Sequence, residues 1–595
     1  MFRLLIVLVA ASAPAATLQA LQNVQVFDDE GTFLAWFLSL RAGHVFYDEI
    51  FSLYGPSFHL FYGLLYGPLG IPISHTAGRL IAASFWIATC AGFAAFSFQV
   101  SRSYLAAAAT YVAVFLWLPA LMHSPGHPEE LGLLLTSCVM LTAGRMRSGS
   151  VGSAWAIGAA LAGIALLKIN FGVFVGGAVG AVLIARLPAG GIKNGLAFAI
   201  SGSLLALPIV LGSFLWHLNW VPLFVVFAEC TLGAALIVLW SQRVGPALRL
   251  LDLGRIALGG AVTAAAIIGL AIVWGSSPKA IFAAILLQNA RSVSGWYVPV
   301  AITPLFVVLS GFSLVLAVCA AVSTHHPRYR AALPWVQAVF LGAALLIGSD
   351  PPTFYVALVP FAWIIILPPP GCNAAIAAAR ALAGVLAATM CLYPYPAAGH
   401  QILLGAVVVI AMLPNLLQDC TSAVWAGRFG PSLPRPLPVK LGLALALGMT
   451  LTIVTVTTVQ NYWRAVPLGM PGTAFVRVSD EQAAEIAWVV AQLGNCTVSF
   501  SLPAQPSLTI WAGQRLLTPV NINATLNFID DDRQRALVDA LSRERSLCVL
   551  THPALERFLD RGQIARDPPL LHYVRTSFAI VAERHGYVIR TRNGD

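Results

Sequence analysis

Apolar runs of membrane-spanning size recur along almost the whole chain, and that recurrence restricts its fold more than any motif does. The first run covers residues 2–21, behind Arg3. Fourteen more follow at roughly 79–99, 104–122, 129–143, 151–167, 170–186, 194–215, 220–240, 256–274, 298–322, 331–348, 353–368, 374–392, 400–418 and 440–459. A helix needs about 20 residues to cross the hydrocarbon, and several runs are shorter. The expectation is a polytopic α-helical membrane protein of about 13–15 transmembrane helices. With 58% hydrophobic and 10% charged residues, a soluble interior could not absorb the apolar surface. The Ala-rich end of residues 2–21 also suits a cleaved signal peptide, but carboxylates follow at once, and an uncleaved first helix is the preferred reading.

Charge gives a topology. With the N-terminus in the cytoplasm, the cytoplasmic connections carry 15 Lys and Arg and the opposite ones 5, as the positive-inside rule requires. An odd number of spans then puts the first connection, residues 22–78, and the C-terminal tail together on the outer side. The basic excess lies in the membrane part: 20 Lys+Arg against 11 Asp+Glu up to residue 459, and 14 against 13 beyond it. It therefore reflects topology and gives no case for nucleic-acid binding. Nine cysteines without a CxxC pair indicate neither a zinc site nor a disulfide scaffold.

Three adjacent carboxylates, Asp28, Asp29 and Glu30, follow the first apolar run and cannot lie in hydrocarbon. A solvated loop end would explain them, but the same connection also carries His44, Asp48, Glu49, Tyr54 and His59, which a topogenic loop does not need. The second outer cluster runs from His123 through His127 to Glu129 and Glu130. Its two histidines, four apart, invite a divalent cation, yet Pro125, Gly126 and Pro128 prevent a helix from presenting both on one face. A substrate-cavity wall is preferred, with no metal ligand assigned and a divalent cation left possible. Lys168 and Arg291 are the outer cations that could neutralise a departing phosphate, or else snorkelling anchors. Glu229, inside an apolar run, is either a functional carboxylate or a neutral one bonded to a neighbouring helix.

From about residue 460 the texture becomes that of a soluble α/β domain. A capping-box pattern at Ser479 to Gln482 starts a helix, and Asp530–Glu544 reads as another. Strands are expected at Thr497–Leu502, Leu508–Ala512 and Leu547–Leu550, and a hairpin around His585-Gly586. Cys496 and Cys548 either pair in an oxidising compartment or remain buried thiols. The domains are thus 1–459 and 460–595.

Asp29-Glu30 after the first helix, then Gly43-x-x-x-Tyr47-Asp48 and Tyr54-Gly55-Pro56, resembles the first outer loop of GT-C glycosyltransferases, especially bacterial members similar to protein O-mannosyltransferases and the lipid A aminoarabinose transferase. The resemblance implies a catalytic Asp at Asp29, with Glu30 as its acidic neighbour and Asp28 as a competing candidate. It also implies loop helices along the membrane and a polyprenyl-phosphate-linked sugar as donor. His44, Asp48, Tyr54, His59, His127 and Glu129 would line the cavity, and Arg291 or Lys168 would hold the donor phosphate. Tyr54 stands where the aminoarabinose branch has Lys, which argues against that particular donor. The expected activity is inverting sugar transfer to a glycan, lipid or protein acceptor at the outer face of a bacterial inner membrane, with the C-terminal domain periplasmic. The alternative is a transporter or lipid flippase without covalent chemistry.

Overall fold

The protein is described by a computed structural model, which covers residues 1–119, 121, 124–242, 244–245, 247–290, 295–323, 327–369, 371–429, 437–560 and 567–593. Arg291 and His123 lie outside the described residues. Among the described residues, eight helices are long and apolar enough to cross a membrane, from Phe2–Ala20 to Lys440–Arg464. Other apolar runs form shorter helices, and the run expected at 353–368 is broken into Pro351–Leu358, a 3-10 turn at Val359–Phe361, and Trp363–Ile366. Pro360 causes the break, because it removes a backbone donor and clashes with the preceding turn.

The first helix, α1 (Phe2–Ala20), packs on α4 (His75–Ser101) and on the last long helix, Leu437–Arg464. Between α1 and α4 the chain forms α2 (Asp29–Arg41) and α3 (Pro56–Tyr66). Asp28 caps α2, accepting from the Gly31 backbone at 2.8 Å. A Cβ at Gly31 would collide with the Asp28 carboxylate and with Ser507, so only glycine fits where loop and C-terminal domain meet. Tyr54-Gly55-Pro56 has an equally local cause. The Gly55 and Ser57 amides bond to the carbonyls of Leu167 and Leu166, each at 3.0 Å, where α7 (Val151–Ala165) ends. A side chain at Gly55 would strike the Leu166 carbonyl, and Pro56 supplies a pre-set φ for the first turn of α3.

Arg79, 2% exposed, holds the loop on the bundle. Its guanidinium grips both Glu30 oxygens, at 2.8 and 2.6 Å, and donates to the carbonyls of Ala20 at 3.0 Å and Asn23 at 2.8 Å.

The C-terminal domain begins with a two-stranded ribbon, β1 (Val466–Pro467) with β2 (Arg477–Val478), which also receives the chain leaving α1: Asn23 donates to the Arg477 carbonyl at 2.9 Å. Its four-stranded sheet has the order β3-β4-β6-β5, with β3 (Val498–Leu502) parallel to β4 (Leu547–Thr551), and β5 (Phe578–Arg584) and β6 (Tyr587–Arg592) antiparallel. His585 and Gly586, both at positive φ, make the hairpin turn expected of them. A disulfide joins Cys496 to Cys548. The strand expected at Leu508–Ala512 is instead the end of a helix, Pro506–Trp511. Pro506 sets its first turn, and the Ser507 amide is satisfied at 2.7 Å by Asp28, a long-range contact that local β propensity does not foresee. The capping box is half formed: Ser479 caps the Gln482 amide, but the Gln482 side chain reaches Val24 instead.

Candidate functional site

The acidic trio diverges once folded. Asp28, 4% exposed, accepts from the Ser507 amide and hydroxyl, both at 2.7 Å, and Ser507 in turn meets His75 Nε2 at 2.8 Å. Asp28 is therefore a clasp between the first loop and the C-terminal domain. Burial pushes its carboxyl up to about 6 from 3.8, against the hydrogen bonds from Ser507. Because the folded value lies above the unfolded one, the associated stability is complete below about pH 4 and is lost as pH rises through 6, about 3 kcal/mol in all. Thermal stability in detergent should then rise on acidification from pH 7 to 5, and Asp28→Ala should flatten that slope. Glu30 is committed to Arg79.

Asp29 alone of the three remains partly exposed. It is the first residue of α2; its Oδ1 accepts from Asn523 Nδ2 at 2.7 Å and its Oδ2 from the Ser124 hydroxyl at 3.2 Å. Among the described residues it has no ion-pair partner.

Next to it lies a second constellation, centred on Glu129 in the first turn of α6 (Pro128–Arg145). Glu129 is fully buried. Its Oε1 accepts from Lys168 Nζ at 2.8 Å and from the Tyr393 hydroxyl at 2.7 Å. Its Oε2 lies 2.9 Å from His400 Nε2 and 3.3 Å from His127 Nδ1. Tyr54, seated by the Gly55 contact, places its hydroxyl 2.9 Å from His127 Nε2, and the Lys168 ammonium sits 5.1 Å from the centre of the Tyr393 ring. Burial lowers the His127 imidazole below its usual range despite Glu129. Burial would lower His400 too, but Glu129 and then Asp29 overcome it and hold its imidazolium above the usual value. The Tyr54 hydroxyl is raised by burial and by the nearby Asp29 and Glu129, so it stays protonated as a donor.

His127, Glu129 and His400 bring three ligand atoms within 4.8 Å of one another, an arrangement open to a divalent cation that would displace the His400 proton. The Lys168 ammonium on the same carboxylate opposes that charge. Glu130 is buried and has no ion-pair partner among the described residues.

Of the expected cavity residues, Tyr54, His127 and Glu129 come together, with Lys168 among them. The other three do not. His44 is partly exposed and lies 3.4 Å from Glu49. Asp48 accepts from the Ser277 amide and hydroxyl, each at 2.7 Å, and so fastens the loop to the turn after α11 (Leu250–Val273). His59, 2% exposed, stacks on Phe46 with ring centres 3.8 Å apart and bonds Ser52 at 3.0 Å; burial drops its imidazole to about 3. His59 is explained by packing, because a loop helix must bury its aromatic face before it can present a site, and Asp48 by its cap on Ser277. Tyr393, His400 and Asn523 were missed by sequence reasoning, whereas Ser124 lies within the polar cluster it singled out. Tyr393-Pro394-Tyr395-Pro396 before His400 was a readable signal, an aromatic and polar connection between two apolar runs. Asn523 gave none, since it arrives from a distant domain.

No protein-family profile matches the chain, and no curated protein sequence matches it. Solved structures do align with it. ArnT from Cupriavidus metallidurans, bound to undecaprenyl phosphate, aligns at 13% identity over 99% of this chain and 98% of that one, with a TM-score of 0.48. The archaeal oligosaccharyltransferase AglB from Archaeoglobus fulgidus, in complex with an inhibitory peptide and a dolichol-phosphate, aligns at 11% identity over 100% of this chain and 74% of that one, with a TM-score of 0.43. Similarity at this level carries no function across, and the reading rests on this chain's own residues. They make an integral membrane protein with a partly exposed carboxylate at one end of its helices, beside a buried histidine, lysine and glutamate cluster and in contact with the C-terminal domain.

Proposed function

We propose that the protein is an inverting membrane glycosyltransferase of the GT-C type, which moves a sugar from a polyprenyl-phosphate donor to a glycan, lipid or protein acceptor at the outer face of a bacterial inner membrane. The observation that carries this reading is the isolation of Asp29: its two acidic neighbours are consumed by structural contacts, while its own Oδ2 is held only by the 3.2 Å contact with the Ser124 hydroxyl.

In the proposed reaction Asp29 accepts the proton of an acceptor hydroxyl or amine as that group attacks the anomeric carbon. The bond from that carbon to the phosphate oxygen breaks, and the electron pair leaves on polyprenyl phosphate. Attack opposite the leaving group inverts the anomeric centre. Lys168 and the His400 imidazole offset the developing phosphate charge, and the Tyr54 and Tyr393 hydroxyls orient the cluster. Lipid access suits this chemistry, because a polyprenyl-phosphate headgroup resides at the depth of a membrane surface. The N-terminus is assigned to the cytoplasm and the C-terminal domain to the periplasm.

The test is release of polyprenyl phosphate, with formation of a labelled glycoside, by purified protein given a panel of radiolabelled polyprenyl-phosphate sugars and membrane-extracted acceptors. Movement of those lipids across vesicles without any glycoside would replace the proposal with the flippase alternative.

A further inference from the structure

We infer that Asn523 of the C-terminal domain is a positioning residue for Asp29, so that the carboxylate competent for transfer exists only while that domain is docked on the first loop. The inference rests on the glycosyltransferase reading and adds to it a residue from a different domain.

Asn523 is 4% exposed, too deeply buried to serve as a casual surface contact. Its side-chain Oδ1 accepts from the Ala524 amide at 2.9 Å, which assigns the other end of the side chain as the donor toward Asp29 Oδ1, at 2.7 Å. The backbone presenting it is held on two sides. On one side the Asn521 carbonyl accepts from the Trp36 indole of α2 at 2.9 Å, and Asn521 itself is fixed by donating to the Thr518 carbonyl at 2.7 Å. On the other, Asn527 donates to the Gly295 carbonyl at 2.8 Å, in the connection preceding helix Pro304–Ser323. A Cβ at Gly295 would strike the Asn527 carbonyl, so this approach is as close as the backbone allows. Residues 518–527 therefore lie between the two outer connections, with Asn523 over the carboxylate.

The chemistry favours an amide at that place. A Lys or Arg would fix the carboxylate equally well, but an opposite charge lowers carboxylate basicity by about 1–3 pH units, which a general base cannot spare. A neutral donor fixes the rotamer and leaves the charge in place. With Oδ1 occupied by Asn523, Oδ2 is the oxygen that faces an incoming acceptor, and its contact with the Ser124 hydroxyl, at 3.2 Å, is long enough to be exchanged.

The experiment compares wild type, Asp29→Asn, Asn523→Ala and Asn523→Asp in the transfer assay, with kcat, KM for the lipid-linked donor, the pH profile and thermal stability measured for each. Asn523→Ala should lower kcat by about 10- to 100-fold with KM for the donor within about twofold. Asn523→Asp keeps the side-chain size and should move the acid limb of the kcat profile up by about one pH unit or more, because two carboxylates at this distance cannot both ionise. A purely structural role would lower stability and leave kcat of the folded Asn523→Ala within about twofold. Wild-type transfer that Asp29→Asn abolishes but Asn523→Ala leaves within about twofold overturns the inference alone, as does an unmoved acid limb in Asn523→Asp. If Asn523→Ala does not fold, the isosteric Asn523→Asp decides. A wild type that transfers nothing overturns the glycosyltransferase reading, and the inference falls with it.

Discussion

Asp29→Asn should reduce sugar transfer by about 10³-fold while the protein still inserts, folds and binds its lipid-linked donor. A positioned general base contributes about 10²–10⁴ to a rate, and Asn is nearly isosteric but cannot take the proton. The contrast with its neighbours makes the result informative. Asp28→Asn and Glu30→Gln remove the same charge one residue away, yet their side chains serve Ser507 and Arg79 and not an acceptor. Their losses should therefore track thermal stability, whereas the Asp29→Asn loss should appear in kcat with the melting temperature unchanged. Transfer by Asp29→Asn at more than about one tenth of the wild-type rate would remove Asp29 as the base.

Arg79→Met, in the first turns of α4, should be the most destabilising single change where the first loop meets the bundle, at about 3–5 kcal/mol. It strands the ionised Glu30 in a buried site and leaves the carbonyls of Ala20 and Asn23 without their donor. Removing one partner of a buried pair costs far more than removing both. The double variant Glu30→Gln with Arg79→Met should then be less destabilised than the sum of the two single variants, a coupling that a double-mutant cycle on thermal unfolding measures. Additive effects would mean that Arg79 acts through the carbonyls alone and that Glu30 is free for another role.

The membrane architecture was legible because hydrophobic run length is a local property. The spacing of apolar runs announced the helices, and the change of texture near residue 460 marked the second domain, with its helix at Asp531–Ser542 and its His585-Gly586 hairpin close to where their local patterns put them. Local reading failed where a distant partner decided the outcome. Residues 508–512 carry strand-like side chains, but Asp28, almost 480 positions away, satisfies a helix N-terminus there. Sequence reading also gathered more polar residues around the acidic trio than the fold brings to the Glu129 cluster. His44, Asp48 and His59 share a connection with the catalytic candidate, yet one pairs with Glu49, one caps a turn and one packs among aromatic rings.

By itself, then, the sequence determined that this chain crosses a membrane many times, that an acidic trio follows its first helix, and that a polar α/β domain closes it, because composition and periodicity act over a few residues at a time. Which carboxylate of the trio stays available, which histidines meet Glu129, and that Asn523 reaches Asp29 were decided by tertiary structure alone. Burial, ion pairing and hydrogen bonding depend on neighbours hundreds of residues apart, and only the folded chain brings them within 3 Å.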